Sequence, residues 1–486
     1  MHLNSCLLNI SFGLVICGSN AQHLHRNEMS VDVAIVGAGL AGLSAARDLT
    51  AAKKTVVVLE ARDRVGGRVE NQLLDNGGVI ELGAAFVGPT QDRVLALAEE
   101  LGLETFLEYN TGANVLWSHG QRTAYTNGYE SIPSLTQETL LQLGTALSEL
   151  DSMAAEIDTQ APWSHQNAFA WDSMTFASWL DVVTPLEDVR TLIDEATTSI
   201  FSAEPSELSL LYTLAYIAAA GNQTAPGTFE RLIGVVGGAQ ESRIVGGTGL
   251  LAHGIAAKLG SEKVMLSAAV HTIIENSSGY EIRAGNQVVI AKHIVVAMSP
   301  PLAARITYVP PLPAERDHLT QRMFMGSLGK AIAVYETPFW RKQNLTGQAV
   351  SDSGIARTTF DVSPSNGSYG AILGFIEADQ MRLLDNATEA HIQALVTQDY
   401  VKYFGPQAAH ATQWVFKRWD NDIFARGGPV ALGGPGTLTK YGSALTKPFR
   451  GIHWAGTETS PYWTGYMDGA VRSGERVAKE ITAAME

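Results

Sequence analysis

The stretch of sequence that decides the fold is SVDVAIVGAGLAG, residues 30–42. Its first part, residues 30–36, is a short apolar run bounded by glycine, which is typical of a strand buried in a parallel sheet. Residues 41–53 then follow helical periodicity, and residues 55–60 form a second β-branched run that ends in an acid. Strand, helix and strand within about thirty residues predict a βαβ unit and therefore an α/β fold.

The turn after the first strand predicts a binding site for a dinucleotide. Its residues are Gly37, Ala38, Gly39, Leu40, Ala41 and Gly42. Gly37 permits the tight turn, Gly39 lets the backbone approach a pyrophosphate, and Gly42 lets helix and strand pack closely. The helix N-terminus adds N–H donors for the phosphates. At the end of the second strand, Glu60 is placed to accept hydrogen bonds from a ribose diol.

The segment after the second strand favours FAD over NAD as the dinucleotide. It reads Glu60, Ala61, Arg62, Asp63, Arg64, Val65, Gly66, Gly67 and Arg68. The paired glycines allow a second close approach of the backbone to a ligand, and Arg68 can bridge to phosphate as a fixed cationic fork. We therefore predict that Ala61, Arg62, Gly67 and Arg68 bind the cofactor.

Five motifs, in this order along the chain, resemble the flavin-containing amine oxidase family, which includes the mitochondrial monoamine oxidases and the bacterial cyclohexylamine oxidases. They are residues 37–42, residues 60–68, residues 82–91 (LGAAFVGPTQ), residues 245–249 (VGGTG), and residues 455–459 (AGTET) with residues 463–470 (WTGYMDGA). The resemblance extends from about residue 30 to residue 482. In character the chain is most similar to the cyclohexylamine oxidases.

The resemblance implies two domains within the α/β fold. A glutathione-reductase-like FAD-binding domain, with a Rossmann-type parallel sheet, is expected from segments 29–108, 236–305 and 415–486. A mixed α+β substrate domain is expected from the inserted segments 109–235 and 306–414.

Periodicity predicts several helices between the motifs. Residues 92–102, 135–160, 177–200 and 206–220 have helical patterns. Ser206 and Glu207, after a proline, are expected to open the last of these helices. No segment beyond the N-terminal leader has the roughly twenty apolar residues needed to span a bilayer.

The resemblance also assigns residues to the cofactor. It implies that Val270 contacts the adenine end of FAD through its backbone, and that Glu458 and Met467 hold the ribityl chain and the pyrimidine edge of the ring. Gly83 and Ala84 belong to a matching motif and are assigned to the same site. A helix that begins beside Met467 would direct its N–H groups at the flavin and stabilise the anionic reduced form.

The reaction centre follows from the same resemblance. Tyr466 matches one wall of an aromatic cage whose π faces orient the amine nitrogen, and it also borders the flavin. Lys330 matches the lysine that holds a water near flavin N5 and assists the reaction with oxygen. Gln240 and Phe86 are expected in the substrate pocket, and Trp419 is expected beside both pocket and flavin.

Two residues depart from the pattern of the mitochondrial enzymes. Those enzymes have a Gly-Gly-Cys-Tyr segment that supplies a covalent flavin thioether and a second cage tyrosine, whereas residues 427–430 here read GGPV. Pro429 cannot form a thioether, and both cysteines, Cys6 and Cys17, lie in the N-terminal leader. We therefore predict noncovalent FAD, and a substrate pocket that Val430 widens by removing half of the cage.

These features predict an FAD-dependent amine oxidase. It would oxidise a primary, cyclic or secondary amine to the imine by hydride transfer to flavin N5, with O2 reduced to H2O2. A biosynthetic oxidase of a bulky alkaloid-like amine and a polyamine oxidase are the alternatives that stay open. An L-amino-acid oxidase is disfavoured, because residues 83–90 are uncharged where that family presents an arginine. A flavin-binding protein without catalytic activity is a further alternative. Such a protein would be expected to lack Lys330 or Tyr466, and both residues are present here.

Charge and metal-ligand content exclude other classes of function. A formal net charge of −15 disfavours nucleic acid as a partner, because the phosphate backbone would be repelled. No metal site is expected, because the chain beyond the leader has no thiol and no His-x-x-x-His pair. The expected partners are a small amine and O2, and whether the chain forms a homodimer stays open.

The N-terminus predicts entry into the secretory pathway. Residues 1–21 lack Asp, Glu, Lys and Arg, residues 6–18 are apolar, and small residues follow, which together are typical of a cleaved signal peptide. Beyond the leader, Asn222, Asn276, Asn344, Asn366 and Asn386 begin Asn-x-Ser/Thr sequons. We expect a secreted glycoprotein without a membrane anchor after processing, with a soluble intracellular protein as the alternative.

Overall fold

A computed structural model describes residues 28–126 and 134–486, so the predicted signal peptide lies outside the described residues. The strands, β1 to β22 in chain order, are Glu28–Val36, Val56–Leu59, Asn71–Leu73, Val79–Glu81, Phe86–Val87, Thr105–Leu107, Ala113–Ser118, Gln121–Tyr125, Ser242–Ile244, Val264–Met265, Val270–Asn276, Gly279–Ala284, Gln287–Ala297, Thr307–Val309, Met323–Met325, Leu328–Tyr335, Leu345–Ser351, Thr358–Asp361, Gly370–Glu377, Gln413–Arg418, Ala431–Gly433 and Ile452–Ala455.

The helices, α1 to α16 in chain order, are Leu40–Ala51, Asp92–Glu100, Gln137–Ala155, Ala168–Asp172, Phe176–Val183, Glu187–Phe201, Leu210–Ala219, Phe229–Ile233, Gly249–Leu259, Pro300–Ala303, Ala314–Arg322, Phe339–Lys342, Ala378–Arg382, Glu389–Phe404, Thr437–Tyr441 and Met467–Ala484. Short 3-10 helices span Pro162–Ser164, Ser261–Lys263, Pro406–Ala409, Gly442–Leu445 and Thr457–Thr459.

The first sheet contains the predicted βαβ unit. Its order is β10-β2-β1-β13-β12-β11-β14, and β22 also pairs with β13. β1 runs parallel to both β2 and β13, and β13 runs parallel to β22. Because β1 and β2 are buried on both faces, their continuous Val, Ile and Ala runs form the core on either side. The α/β prediction is confirmed.

The second sheet is mixed and lies in the inserted segments. Its order is β20-β16-β19-β18-β17-β7-β8, with antiparallel pairing except between β7 and β17. Helices α3 to α8 share one apolar core beside this sheet. Two boundaries differ from the predicted domains: β14 joins the first sheet although it follows residue 305, and β20 joins the second sheet although it extends past residue 415.

The predicted helix at residues 177–200 is wrong as a single element. The structure has α5 and α6 instead, with Pro185 between them. Proline has no backbone N–H and disfavours helical geometry in the residue before it, so the helix ends at Val183. The predicted helix at residues 206–220 begins later than expected, because Ser209, and not Ser206, accepts the capping hydrogen bond from Tyr212 N.

The apolar segment around α7 forms part of the helical core. Its residues are nearly all buried against neighbouring helices. Within the described ranges, no helix combines the length and the apolar character that crossing a bilayer requires.

Candidate active site

One cavity of about 1120 Å³ joins the two sheets. At one end it is lined by the glycine turn of the first sheet, including Gly37 and Gly39, and at the other end by β16 and β19 of the second sheet. The cavity therefore brings together the residues assigned to the nucleotide and those assigned to the reaction centre. We refer below to its nucleotide end and its amine end.

The nucleotide end is formed by two glycine segments that lie side by side. Gly39 and Gly66 form a parallel bridge, and Gly66 N donates to Ala38 O at 2.9 Å. Gly37 has a φ of 104°, which a residue with a side chain would rarely adopt, and α1 begins directly after Gly39. The first N–H groups of α1 therefore face the cavity, as a pyrophosphate requires.

Gly42 and Gly39 have different roles in this structure. A Cβ on Gly42 would collide with the Gly37 carbonyl oxygen, so Gly42 serves the packing of the turn and does not line the cavity. A Cβ on Gly39 would meet only Gly66 O, at 4.0 Å, so the space beside Gly39 is open to a ligand. This open backbone cradle fits the pyrophosphate of FAD.

Glu60 is held in position to receive a ribose. Its buried carboxylate accepts hydrogen bonds from Ala38 N at 2.7 Å and from Arg62 N at 2.9 Å, one on each oxygen. Each carboxylate oxygen has a further lone pair, and the side chain lines the cavity. Ala38 itself is fully buried, so its role is to orient this acid through its N–H group.

Three residues that the sequence analysis assigns to the cofactor lie together at the nucleotide end of the cavity. Ala61, Arg62 and Val270 line the cavity there. Arg62 forms an ion pair with Asp422 at 2.6 Å and lies 5.6 Å from the ring centre of Phe424. The loop around Asp422, which the sequence did not indicate, therefore covers this end of the cavity.

Arg68 and Glu458 form an ion pair beside the cavity. Arg68 Nη1 donates to Glu458 Oε1 at 2.9 Å and to Pro429 O at 2.7 Å. Glu458 also accepts from Ala431 N at 3.2 Å and does not line the cavity, because these partners occupy its carboxylate. The pair therefore fixes the 429–431 segment, and the contact of Glu458 with the ribityl chain stays a prediction.

Lys330 lies buried on β16 at the amine end. Its Nζ donates to Gly83 O at 2.5 Å and to Glu81 O at 3.3 Å, and lies 5.5 Å from the ring centre of Phe375. Burial lowers the pKa of Lys330 to about 8, with the carboxylate of Glu81 partly opposing that shift. The residue is therefore a buried amine that can release its proton in mildly basic solution.

Tyr466 forms an aromatic wall at the N-terminus of α16. Its ring lies 4.8 Å from that of Trp463, edge to face, and 6.2 Å from that of Tyr216. Tyr216, on α7, also lines the cavity and was not identified from the sequence. A Cβ on Gly465 would collide with the Tyr216 hydroxyl, which explains why glycine precedes Tyr466.

Most of the remaining residues predicted for the pocket or the flavin line the cavity. Phe86, Trp419 and Gln240 line the cavity, together with Gly83, Ala84 and Met467. Trp419 is held by a hydrogen bond from Nε1 to Leu82 O at 2.8 Å. Gln240 donates to Leu232 O at 3.1 Å, and its Oε1 is buried without a donor among the described residues.

Val430, which the sequence analysis expects in the substrate pocket, does not line the cavity. It is fully buried in the helical core. Gly428 and Pro429 line the cavity at this point instead. Pro429 therefore borders the cavity, whereas the next side chain, that of Val430, packs into the helical core.

The chain is similar to a known family of proteins. Residues 40–482 match the model of the flavin containing amine oxidoreductases. A Mycobacterium tuberculosis protein assigned as a flavin-containing monoamine oxidase is 38% identical over 454 residues, covering 93% of this chain and 97% of that protein. The flavin-containing amine oxidase B of Homo sapiens is 35% identical over 459 residues, covering 93% of this chain and 86% of that protein.

Solved structures agree with these sequence relatives. Putrescine oxidase bound to putrescine superposes with a TM-score of 0.89 at 32% identity, covering 94% of this chain and all of that chain, 100%. Cyclohexylamine oxidase from Brevibacterium oxydans IH-35A superposes with a TM-score of 0.88 at 32% identity, covering 94% of this chain and 99% of the other. The likeness therefore extends over 94% of the chain.

Proposed function

This chain belongs to the flavin-containing amine oxidoreductase family and is an FAD-dependent amine oxidase, and on that premise we propose that it oxidises a primary, cyclic or secondary amine to the imine, with O2 reduced to H2O2. The observation that carries the proposal is the single cavity that joins the Glu60 end to Lys330, Tyr466 and Gln240. When bound, FAD supplies the acceptor for the hydrogen and two electrons of the amine Cα–H bond.

The residues at the amine end favour a neutral amine. The apolar walls disfavour an ammonium ion, because burial penalises the charged form. The ring of Tyr466 offers a π face to the nitrogen, and Gln240 Oε1 is an acceptor that lacks a protein donor among the described residues. Together these two groups can fix the nitrogen and so direct the adjacent carbon.

Lys330 serves the second half of the reaction in this proposal. Reduction of O2 to H2O2 consumes protons and develops negative charge, which a nearby ammonium group stabilises. Lys330 is held there by the Glu81 and Gly83 carbonyl oxygens. With a pKa of about 8 the side chain is charged at neutral pH, and it can give up and regain its proton.

We also propose that the flavin is held without a covalent bond. Pro429 lines the cavity at the segment where the mitochondrial enzymes are expected to have their cysteine, and the sequence has no cysteine after Cys17. Acid precipitation of the purified protein should therefore release yellow flavin into the supernatant. A yellow pellet after washing would contradict this part of the proposal.

An L-amino-acid oxidase needs a cation for the substrate carboxylate. The guanidinium groups that line the cavity are those of Arg62, Arg68 and Arg305. Arg62 forms an ion pair with Asp422, and Arg68 forms one with Glu458. Arg305 lies at the nucleotide end of the cavity. Among the described residues the amine end therefore offers no guanidinium to a carboxylate, which favours amines over amino acids.

We propose in addition that the chain enters the secretory pathway. Four of the predicted sequon asparagines, Asn276, Asn344, Asn366 and Asn386, are exposed, and Asn222 is partly exposed, so glycosylation would meet no steric barrier. Expression in a secreting eukaryotic host followed by glycosidase treatment tests this. A loss of apparent mass is expected, whereas retention of the unprocessed protein inside the cell would contradict it.

A peroxide-coupled screen tests the proposed activity. Primary, cyclic and secondary amines, polyamines and L-amino acids would be offered to the holoenzyme at equal concentration. We expect turnover of amines without a carboxylate and little or none of amino acids. Turnover restricted to L-amino acids would overturn the proposal.

A further inference from the structure

Three consecutive carbonyl oxygens, at the end of β4 and directly after it, accept hydrogen bonds from side chains that line the cavity. Lys330 Nζ donates to the carbonyl oxygens of Glu81 and Gly83. Trp419 Nε1 donates to the carbonyl oxygen between them, that of Leu82. The position of this backbone segment therefore determines where the ammonium group of Lys330 lies, and whatever anchors the segment also anchors the lysine.

A buried cluster of charges outside the cavity anchors the side chain of Glu81. Arg243, on the middle strand of the sheet β5-β9-β6, donates from Nη1 to Glu81 Oε2 at 3.4 Å and from Nε to Glu108 Oε2 at 2.8 Å. Its third nitrogen, Nη2, donates to Ser363 O beyond the end of β18 in the second sheet. The three charged side chains are at most 6% exposed, and none of them lines the cavity. We call Glu81, Arg243 and Glu108 the buried triad.

Strand pairing places the arginine, but the stability of the fold does not explain it. Arg243 pairs with Phe86 of β5 and Phe106 of β6, and its guanidinium carbon lies 4.9 Å from the ring centre of Phe106. Removing charges from water is costly, so a buried ion pair stabilises a fold little compared with apolar side chains of the same volume. The triad shares Glu81 with the segment that holds Lys330, which points to a role in the reaction.

The two ends of the ion pair between Glu81 and Arg243 act on Lys330 in opposite directions. Burial lowers the pKa of Lys330 to about 8. Within that net shift the Glu81 carboxylate raises the pKa, because it stabilises the ammonium form, whereas the Arg243 guanidinium lowers it. Burial also raises the pKa of Glu108 to about 7, so near neutral pH this acid balances the guanidinium only in part.

The amine end contains other charged groups, which act on the same lysine less directly. Two buried acids, Glu377 on β19 and Glu195 on α6, line the cavity there, and Glu377 also raises the pKa of the lysine. On β20, Lys417 lies opposite the lysine and forms an ion pair with Glu70 at 2.9 Å. Glu81 differs from all of these, because its carbonyl oxygen and its carboxylate both act on the lysine.

We propose that Glu81, held in place by Arg243, is a positioning residue for reoxidation by O2: its carbonyl oxygen orients Lys330 Nζ, and its carboxylate keeps that ammonium group charged. This inference rests on the proposed function, in which Lys330 serves the reaction with O2. It goes beyond that function because it assigns a role to residues that do not line the cavity. The triad thereby extends the pH range over which reoxidation is rapid.

The test uses two variants that change the charge of the triad in opposite directions. Glu81→Gln removes a negative charge and keeps a hydrogen-bond acceptor for Arg243, so Lys330 should lose its proton more readily. The pH at which the reoxidation rate falls should then move down by about one pH unit, the lower end of the effect of a nearby opposite charge. In Arg243→Gln two buried carboxyl groups lose their cation and can share one proton, so a negative charge remains and that pH should move up.

Stopped-flow mixing of the amine-reduced holoenzyme with O2 over a series of pH values measures these shifts. Glu104→Gln, which changes an exposed acid just before β6, is the matched control and should behave like wild type. Glu81→Asp keeps the charge, so its midpoint should lie closer to that of wild type than the midpoint of Glu81→Gln does. If one variant of the ion pair does not fold, the sign of the shift in the other decides.

The outcomes separate this inference from the proposed function. Opposite shifts in Glu81→Gln and Arg243→Gln support the inference, whereas an unchanged midpoint in Glu81→Gln or shifts of the same sign overturn it. Equal slowing of flavin reduction and reoxidation without a shift would assign the triad to the fold alone, and would overturn it too. If wild type shows no fall that Lys330→Met removes, the proposed role of the lysine fails, and the inference fails with it.

A spectroscopic titration provides a readout without turnover. The absorbance of the bound oxidised flavin would be followed with pH, because a charge beside the ring perturbs its spectrum. A transition near pH 8 is expected in wild type, at lower pH in Glu81→Gln, and not in Lys330→Met. The same midpoint in wild type and Glu81→Gln, or no transition in wild type, would overturn the inference.

Discussion

The two ends of the cavity are built in different ways. The nucleotide end consists mainly of backbone groups from consecutive residues, namely the glycine turn after β1 and the segment after β2. The amine end consists of side chains from α6, α7, β16, β19 and α16, which are far apart in the sequence. A backbone site depends on which residues lack a side chain, whereas a side-chain site depends on how distant elements meet. The following changes test that difference.

Substitution of a turn glycine should have the largest effect. In Gly42→Ala the new Cβ collides with the Gly37 carbonyl oxygen and approaches Ala297 Cβ to 3.2 Å, so we expect a destabilised protein without flavin. In Gly39→Ala the nearest atom is 4.0 Å away, so the apoprotein should keep its stability while FAD affinity falls. Overpacking of this kind costs about 1–3 kcal/mol, measurable in the melting of the apoprotein.

Equal melting temperatures of the two apoprotein variants would contradict this distinction between packing and ligand approach. FAD content after purification and FAD affinity by fluorescence quenching provide the second measurement. Retention of wild-type FAD affinity in Gly39→Ala would show that the open space beside this residue is not where the pyrophosphate binds.

Replacement of Lys330 should separate the two halves of the catalytic cycle. Lys330→Met should slow reoxidation by O2 by about a hundredfold, because a positioned proton donor typically contributes that much or more, and should slow amine oxidation far less. Lys417→Met is the matched control, since Lys417 lies directly opposite Lys330 in β20 but does not line the cavity. Stopped-flow measurement of both half-reactions would detect the difference, and equal slowing of both would refute the assigned role.

The pH dependence of the reoxidation rate should reflect the protonation of Lys330. Burial lowers the pKa of Lys330 to about 8, so the charged form dominates below that pH and is lost above it. The reoxidation rate should therefore be constant at neutral pH and fall as the pH rises through about 8. In Lys330→Met this fall should be absent.

Removal of the amide at Gln240 should have the smallest effect. A neutral hydrogen bond contributes about 0.5–1.5 kcal/mol, so Gln240→Leu should raise KM for the amine by a few-fold to about tenfold. Gln321→Leu, at an exposed position of α11, serves as control. Steady-state kinetics with the best amine of the screen measure the change. An unchanged KM would mean that the free Oε1 does not contact the substrate.

The nucleotide end could be predicted from sequence in nearly every part. Gly37, Gly39, Gly42 and Glu60 are close in the sequence, and the requirement for each is local: a positive φ, an open approach, a tight contact, or an acid at a strand end. Strands β1 and β2 and helices α1 to α3 followed from periodicity in the same way. Because each of these requirements concerns residues close together in the chain, it can be recognised in a short stretch of sequence.

The amine end could be predicted only where a motif carried a resemblance. Lys330, Tyr466 and Gln240 were found in that way, but Tyr216, Phe375, Glu195 and Glu377 were not. An acid inside a helical or strand pattern reads as a surface residue, because most such residues are exposed. The strand register that places Glu377 near Lys330 depends on long-range pairing that one sequence does not reveal.

Val430 and Glu458 do not line the cavity to which their motifs assign them. Val430 and Glu458 were assigned by position in a motif, but the direction of a side chain depends on the backbone around it. Arg68 holds Glu458 and the Pro429 carbonyl together, so the acid turns away from the cavity and residues 428–429 face it. Alignment identifies the segment, and only the geometry identifies which side chain reaches the ligand.

The position of β22 and α16 has a consequence for biosynthesis. β22 pairs with β13, next to β1, and α16 packs so closely on α1 that a Cβ on Gly474 would collide with Ala41 O. The centre of the first sheet therefore joins segments made more than four hundred residues apart. Contacts of such long sequence separation form late, so a ribosome-bound chain cannot complete the flavin site until Met467–Ala484 has emerged. Capture of the cofactor therefore has to wait until α16 has been synthesised and has packed on α1.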